Sequence, residues 1–202
     1  MQTIKLKNTD FEISRIGLGT NAVGGHNLYS ALDEEQGRAL VREAISQGIT
    51  FFDTADAYGF GRSEELLGEE LRGKRQEVII ATKGAIQNAA DGSRKINNRP
   101  EYLRAALEAS LKRLSTDYVD LYYIHYVDPE VPLAESVGAL ERLREEGKIR
   151  AIGLSNATPE QLKEANQSGA LSAYQGAYNL LQREAEAELL PYCVEAGIAF
   201  IP

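Results

Sequence analysis

The sequence predicts an α/β fold, a TIM (β/α)8 barrel that is incomplete at about seven strands and carries an N-terminal β-hairpin. Three observations point there. From residue 15 onward short apolar strands alternate with amphipathic helical stretches, and connections of that length join parallel neighbours by right-handed crossovers. Strands such as "VIIAT" (78–82) are apolar without alternation, so both faces of the sheet are covered. Polar residues end strand after strand, and no G-x-G-x-x-G follows the first one. Both facts favour the barrel over a doubly wound open sheet.

The elements follow in order. "TIKLKNTDFEI" (3–13) alternates around "NTD" and reads as a hairpin outside the repeat. "RIGLGT" (15–20) precedes a helix over 34–47, and "ITFFDT" (49–54) one over 63–72. "EVIIATK" (77–83) precedes a helix over 100–114, opened by Pro100 in its first turn. "VDLYYIH" (119–125) is followed by a stretch with Val137, Leu140 and Leu143 at helical spacing. "IRAIGLSN" (149–156) leads to a helix with Thr158 as N-cap, Pro159 at its first position and Gln161 completing a capping box. "AYQGAYN" (173–179) precedes a helix near 184–195, and "IAFIP" (198–202) comes last. Gly48, Gly147 and Gly197 each stop a helix just before a strand. A barrel of this kind takes about 250 residues, so the sequence reads as cut short within a single domain, 1–202.

Composition narrows the function classes. Apolar residues at 43% and charged residues at 26% are ordinary globular values. A net charge of −8 argues against nucleic-acid and anionic-membrane partners, which need a basic face. A lone cysteine, Cys193, fits a reducing compartment. "MQTIKLKNTD" does not read as a signal peptide, and no apolar run reaches the ~18 residues of a membrane span. The expected location is cytoplasmic.

In such a barrel the active site lies at the C-terminal ends of the strands. Those positions hold Thr20 and Asn21, Asp53 with Tyr58 in the following loop, Lys83, His125, Ser155 and Asn156, and Gln175. An acid, a base, an imidazole and a phenol therefore converge, and that set suits carbonyl reduction. Alkoxide charge builds on oxygen and a positioned acid relieves it. Tyrosine, with a reference pKa near 10, is weak for this task, so a neighbouring lysine is expected to lower it. An aspartate keeps that lysine charged, and His125 holds the carbonyl oxygen or relays the proton. The set contains no metal site.

The chain resembles the aldo-keto reductases over its whole length. The resemblance rests on "GITFFDTADAYGFGRSEELLGEEL", "IIATKG", "DLYYIHYVD", "GKIRAIGLSN" and "QGAYNLLQRE" in one order. "GLGTNAVGGHN" is similar to the bacterial subgroup associated with inositol catabolism. The resemblance implies NADPH-dependent reduction of small aldehydes and ketones, with NAD(H) left open as cofactor. It implies a catalytic tetrad of Asp53, Tyr58, Lys83 and His125. It also implies a nicotinamide carboxamide held by Ser155, Asn156 and Gln175, with Thr20, Asn21 and Asp53 along the ribose side. "YVD" departs from members that have a proline before the Asp, which bears on the substrate lip. The family's stacking aromatic and its phosphate-binding loops correspond to positions beyond Pro202, and without an eighth strand the first and seventh have unpaired edges, so the 202-residue chain alone is expected to be poorly soluble and inactive.

Other residues receive plainer readings. His26 in "GGHN" reads as structural, Ser63 as a helix cap, and Arg62 and Glu64 as helix-start residues. Cys193 reads as core, "ERLREEGK" as a solvated helix face, and "NAADGSRK" (88–95) as a flexible loop at the site's rim. Two rival functions stand beside the reductase. One is a cofactor-reading regulatory partner like the channel-associated β subunits of the same family. The other is an aldolase-like Schiff base on Lys83, which the adjacent Asp53 disfavours.

Overall fold

The structure, a computed structural model, describes residues 1–29, 31–88 and 93–202. Strands β1 (Thr3–Lys5) and β2 (Glu12–Ser14) pair antiparallel, with Ile4 opposite Ile13. Then come β3 (Gly17–Gly19), α1 (Asn21–Gly24), α2 (Glu34–Ser46), β4 (Phe51–Asp53), α3 (Arg62–Glu70) and β5 (Ile79–Gly84). A small antiparallel hairpin, β6 (Ile86–Asn88) with β7 (Arg94–Ile96), follows β5. The remainder alternates strictly: α4 (Pro100–Leu114), β8 (Val119–Ile124), α5 (Leu133–Glu145), β9 (Ile149–Ser155), α6 (Pro159–Ala165), β10 (Leu171–Gln175), α7 (Leu189–Ala196) and β11 (Ala199–Ile201).

Seven strands form one parallel sheet in the order β3-β4-β5-β8-β9-β10-β11. The sheet curls strongly. β10 stands four strands from β4, which in a flat sheet is about 19 Å, yet Gln175 Nε2 donates to Asp53 Oδ2 at 3.0 Å. The architecture is thus an incomplete (β/α) barrel, as the sequence predicts. Its two edges are β3 and β11.

Alternation along each strand sorts the residues into two cores. Phe52, Ile80, Tyr122, Ile124, Ile152, Leu154 and Tyr174 face outward and pack under helix residues such as Val41, Leu66, Leu107, Leu140 and Leu162. Phe51, Ile79, Ala81, Leu121, Tyr123, Ala151 and Ala173 face inward. The N-terminal hairpin plugs that inner face with Leu6, Phe11 and Ile13. Ser14 Oγ accepts from the Thr50 and Phe51 amides, and Asp120 accepts from Ile80 N, Arg75 and Arg150. The end bearing the strand N-termini is therefore closed, and the opposite end remains for chemistry.

Helix boundaries follow the local signals. Asp33 caps α2 by accepting from Glu35 N and Gln36 N, and Thr158 with Gln161 forms the predicted capping box of α6. Gly48 and Gly147 take the left-handed conformation after their helices (φ 77 and 74), which a side chain would resist. Four expectations change. The sixth predicted strand begins at Leu171 rather than 173, and the helix predicted over 184–195 is a 3₁₀ turn, Glu184–Glu186, followed by α7. Ser63 does not cap α3. It is buried, donates to Thr20 O at 2.7 Å and accepts from Gly24 N. Glu64 stands in the first turn of α3 as expected, and its side chain is fully buried, bonded to Arg113 Nε and Thr82 Oγ1. Of the stretch read as a loop, Asn88 and residues 94–95 belong to the β6–β7 hairpin, and 89–92 lie outside the described residues. Among the described residues no helix is long and apolar enough to cross a membrane.

Candidate active site

The inward rows of β4, β5, β8, β9 and β10 each end in a polar residue, and the curl gathers those ends. Asp53 closes β4, Lys83 is next to last in β5, and His125 follows β8, the three strands being neighbours. Beyond Asp53 the chain stays against β5, Thr54 N donating to Ala81 O and Asp56 N to Lys83 O. It then turns at Ala55, and Tyr58 swings back until its ring centroid lies 5.2 Å from Lys83 Nζ.

Lys83 is fully buried and donates to Asp53 Oδ1 and, at 2.8 Å, to Thr54 O, with the Tyr58 ring beside it. Because an ammonium has no lone pair, the phenol oxygen can only accept from it. Its own O–H is left to point elsewhere. The His125 ring stands edge-on to Tyr58 at 6.2 Å and stacks on Tyr126 at 5.0 Å. His125 Nδ1 is buried without a partner.

The protonation states follow from these surroundings. Burial alone would lower the Lys83 pKa, but Asp53 and Tyr58 together hold it above its ordinary value, so it is an ammonium at neutral pH. A Schiff-base lysine needs the opposite shift. Burial, helped by Lys83, pushes His125 down to about 3, so its imidazole is neutral. The expectation that Lys83 lowers the Tyr58 pKa is corrected: Lys83 does pull it down, but burial outweighs that pull, and the phenol stands above its ordinary value. Tyr58 therefore keeps its proton at neutral pH.

A cavity of about 650 Å³ opens over this cluster, a size typical of small-molecule sites. Asn21, Asp53, Tyr58 and His125 line it on one side, and Ser155, Asn156 and Gln175 on the other. Thr20 does not reach it. That residue is buried and gives both its N–H (2.8 Å) and its hydroxyl (3.1 Å) to Asp53 O, which fixes the end of β4 from behind. Lys83 likewise lies beneath the floor. Asn156 takes a left-handed backbone (φ 51), and its Nδ2 donates to His125 O and Ser155 Oγ. A nicotinamide carboxamide both donates and accepts, and the hydroxyl of Ser155 with the amides of Asn156 and Gln175 match it in kind. The residues present fit that group.

Two contributors escape sequence reading. Tyr126 lines the cavity and flanks His125, and its place directly after the strand-end histidine is the signal that finds it. Asn27 bonds the Tyr58 turn from a loop 30 residues away, and nothing local in "GGHN" announces that. His26 is structural as expected, its Nε2 3.1 Å from Glu34 Oε1. Cys193 is buried, and burial pushes its thiol up to about 11.

Comparison with known proteins shows the family and the fold. The sequence pattern described as "Aldo/keto reductase family" matches residues 15–202. "Aldo-keto reductase YhdN" of Bacillus subtilis (strain 168) is 44% identical over 200 residues, covering 98% of this chain and 60% of its own length. "NADH-specific methylglyoxal reductase" of Escherichia coli (strain K12) is 40% identical, with 98% and 65% covered. Among solved structures, the glycerol dehydrogenase AKR11B4 from Gluconobacter oxydans superposes with a TM-score of 0.91 at 34% identity, covering 98% of this chain and 62% of that one. The chain thus spans 60% and 65% of the two curated relatives' lengths. The chain belongs to the aldo/keto reductase family.

Proposed function

We propose that the protein carrying this chain reduces small aldehydes and ketones to alcohols with a nicotinamide cofactor, NADPH ahead of NADH, Tyr58 acting as the acid. The observation that carries this reading is the buried Asp53–Lys83 ion pair set against the Tyr58 ring, beside a neutral His125.

When bound, the reduced nicotinamide supplies the two electrons and the hydrogen that the carbonyl carbon gains. Ser155, Asn156 and Gln175 would hold its carboxamide, and Asn21 and Asp53 would lie along its ribose. The chain's own residues manage the proton. The carbonyl oxygen accepts from the Tyr58 hydroxyl and from the His125 imidazole, which remains an uncharged donor. As alkoxide charge builds, Tyr58 releases its proton to that oxygen, and the new phenolate is stabilised by the Lys83 ammonium beside it. The same exclusion of water that keeps Tyr58 protonated at rest strengthens this attraction once charge develops. Asp53 keeps Lys83 charged and in place, and solvent re-protonates Tyr58 after the alcohol leaves.

NADPH is the family's common cofactor, whereas one relative is named for NADH, so both belong in the test. An aromatic aldehyde is offered with each cofactor, and nicotinamide absorbance is followed alongside the alcohol formed. Consumption of cofactor in step with alcohol, faster with NADPH, is the expected result. No turnover with either cofactor, or a borohydride-trapped adduct on Lys83, would overturn the reading.

A further inference from the structure

We propose that Asn27 is a positioning residue for Tyr58, its carboxamide gripping the turn on both sides of the phenol. The proposal rests on the reading of Tyr58 as the acid. Asn27 Nδ2 donates to Ala57 O at 3.0 Å, and Gly59 N donates to Asn27 Oδ1 at 2.6 Å. Ala57 and Gly59 are the two neighbours of Tyr58. One planar amide therefore spans the residue between them, using one donor and one acceptor much as a paired strand would.

The turn needs such support. Beyond Tyr58, Gly59 (φ 61, ψ 29) and Phe60 (φ 54, ψ 40) are left-handed in succession, a conformation that phenylalanine resists. Within its own segment, the Tyr58 N–H donates to Ala55 O at 3.2 Å and its carbonyl accepts from Arg62 N, bonds that fix the start and end of the turn. The phenol oxygen, by contrast, must stand where Lys83 reaches it from below and a carbonyl reaches it from above. Asn27 adds a tie from outside the segment to both neighbours of Tyr58, and its loop is anchored well enough to do so. The Leu28 and Tyr29 amides bond to Gly25 O. Neighbouring His26 shares Glu34 Oε1 with Arg62 Nε, tying the loop to α2 and to the start of α3. The fit is close as well: a Cβ on Gly59 would lie 1.9 Å from Gly24 O.

The chemistry singles out asparagine. Alanine removes both bonds, and aspartate keeps the acceptor for Gly59 N while setting a carboxylate against Ala57 O. The test labels tyrosine with ¹³C at Cζ and assigns Tyr58 by the signal missing from Tyr58→Phe. In Asn27→Ala the Tyr58 resonance is expected to shift or broaden, with its titration moving toward that of an ordinary phenol. Turnover should fall in parallel. We expect kcat to drop on the order of 100-fold, with KM changed by less than about threefold. If Asn27→Ala does not fold, Asn27→Asp carries the same readouts. A Tyr58 resonance and titration unmoved in a folded Asn27 variant overturn the proposal, as does parental kcat. If Tyr58→Phe itself turns over like the parent, the acid assignment fails, while the Cζ resonance still decides whether Asn27 positions the ring.

Discussion

His125 shows how burial sets the charge of a single side chain. Its surroundings are aromatic and cationic, and burial with the Lys83 charge holds its pKa down to about 3. A folded pKa below the ordinary value of about 6.5 means that the unfolded chain binds more protons between those two values. Folding stability is therefore present above about pH 6.5 and is lost as pH falls toward 3. In ¹⁵N spectra the His125 ring should hold neutral-imidazole shifts from pH 8 down to pH 5, and a titration midpoint near 6.5 would contradict that. The residues of the site divide by how their positions arise. Asp53, Lys83, Ser155 and Gln175 are readable because each is the last inward member of an alternating strand, and period-2 arithmetic finds it. Ser63 is misread as a cap, and the burial of Glu64 goes unseen, because their partners lie 43 and 49 residues away, at Thr20 and Arg113, where no local pattern reaches.

Between elements, the Glu64–Arg113 pair joins α3 to α4, and Thr82 ties it to β5. Glu64 is fully enclosed, and Arg113 is 23% exposed. Nearby Asp56 has an oxygen with no partner, and its pKa is pushed up to about 7, chiefly by burial and then by Glu64, while Arg113 opposes the shift. Removing the guanidinium strands a buried carboxylate, so Arg113→Ala should cost about 3–5 kcal/mol in denaturant unfolding. Adding Glu64→Gln should recover part of that loss. A loss under about 1 kcal/mol would mean that the pair is solvated after all. Element type is largely legible here: the seven sheet strands, the capping box and the glycine stops follow from period, turn chemistry and caps. The β6–β7 hairpin is not, because each arm is only three residues long and its polar residues hide the alternation. The 21–29 segment escapes for another reason: its shape is set by Ser63, Asn27 and Gly59 contacts across the fold.

For the molecule as a whole, curvature converts a row of strand ends into a site. A flat seven-stranded sheet would spread Asp53 and Gln175 about 19 Å apart, and the curl brings them into a hydrogen bond of 3.0 Å. The N-terminal hairpin closes one end with apolar side chains, which leaves the polar end as the open face of the cavity. The polar end was legible from the sequence as a barrel pattern. The protonation of Tyr58 was not, because it depends on how completely the folded chain removes water from the phenol. The central claim is that this phenol is the proton donor. Its most direct test is Tyr58→Phe in the protein carrying this chain, assayed by aldehyde reduction and by cofactor titration. Loss of the donor should cut turnover by about 10²–10⁴-fold, with cofactor affinity held within about threefold. A Tyr58→Phe protein that reduces the aldehyde at near-parental rate would contradict the account.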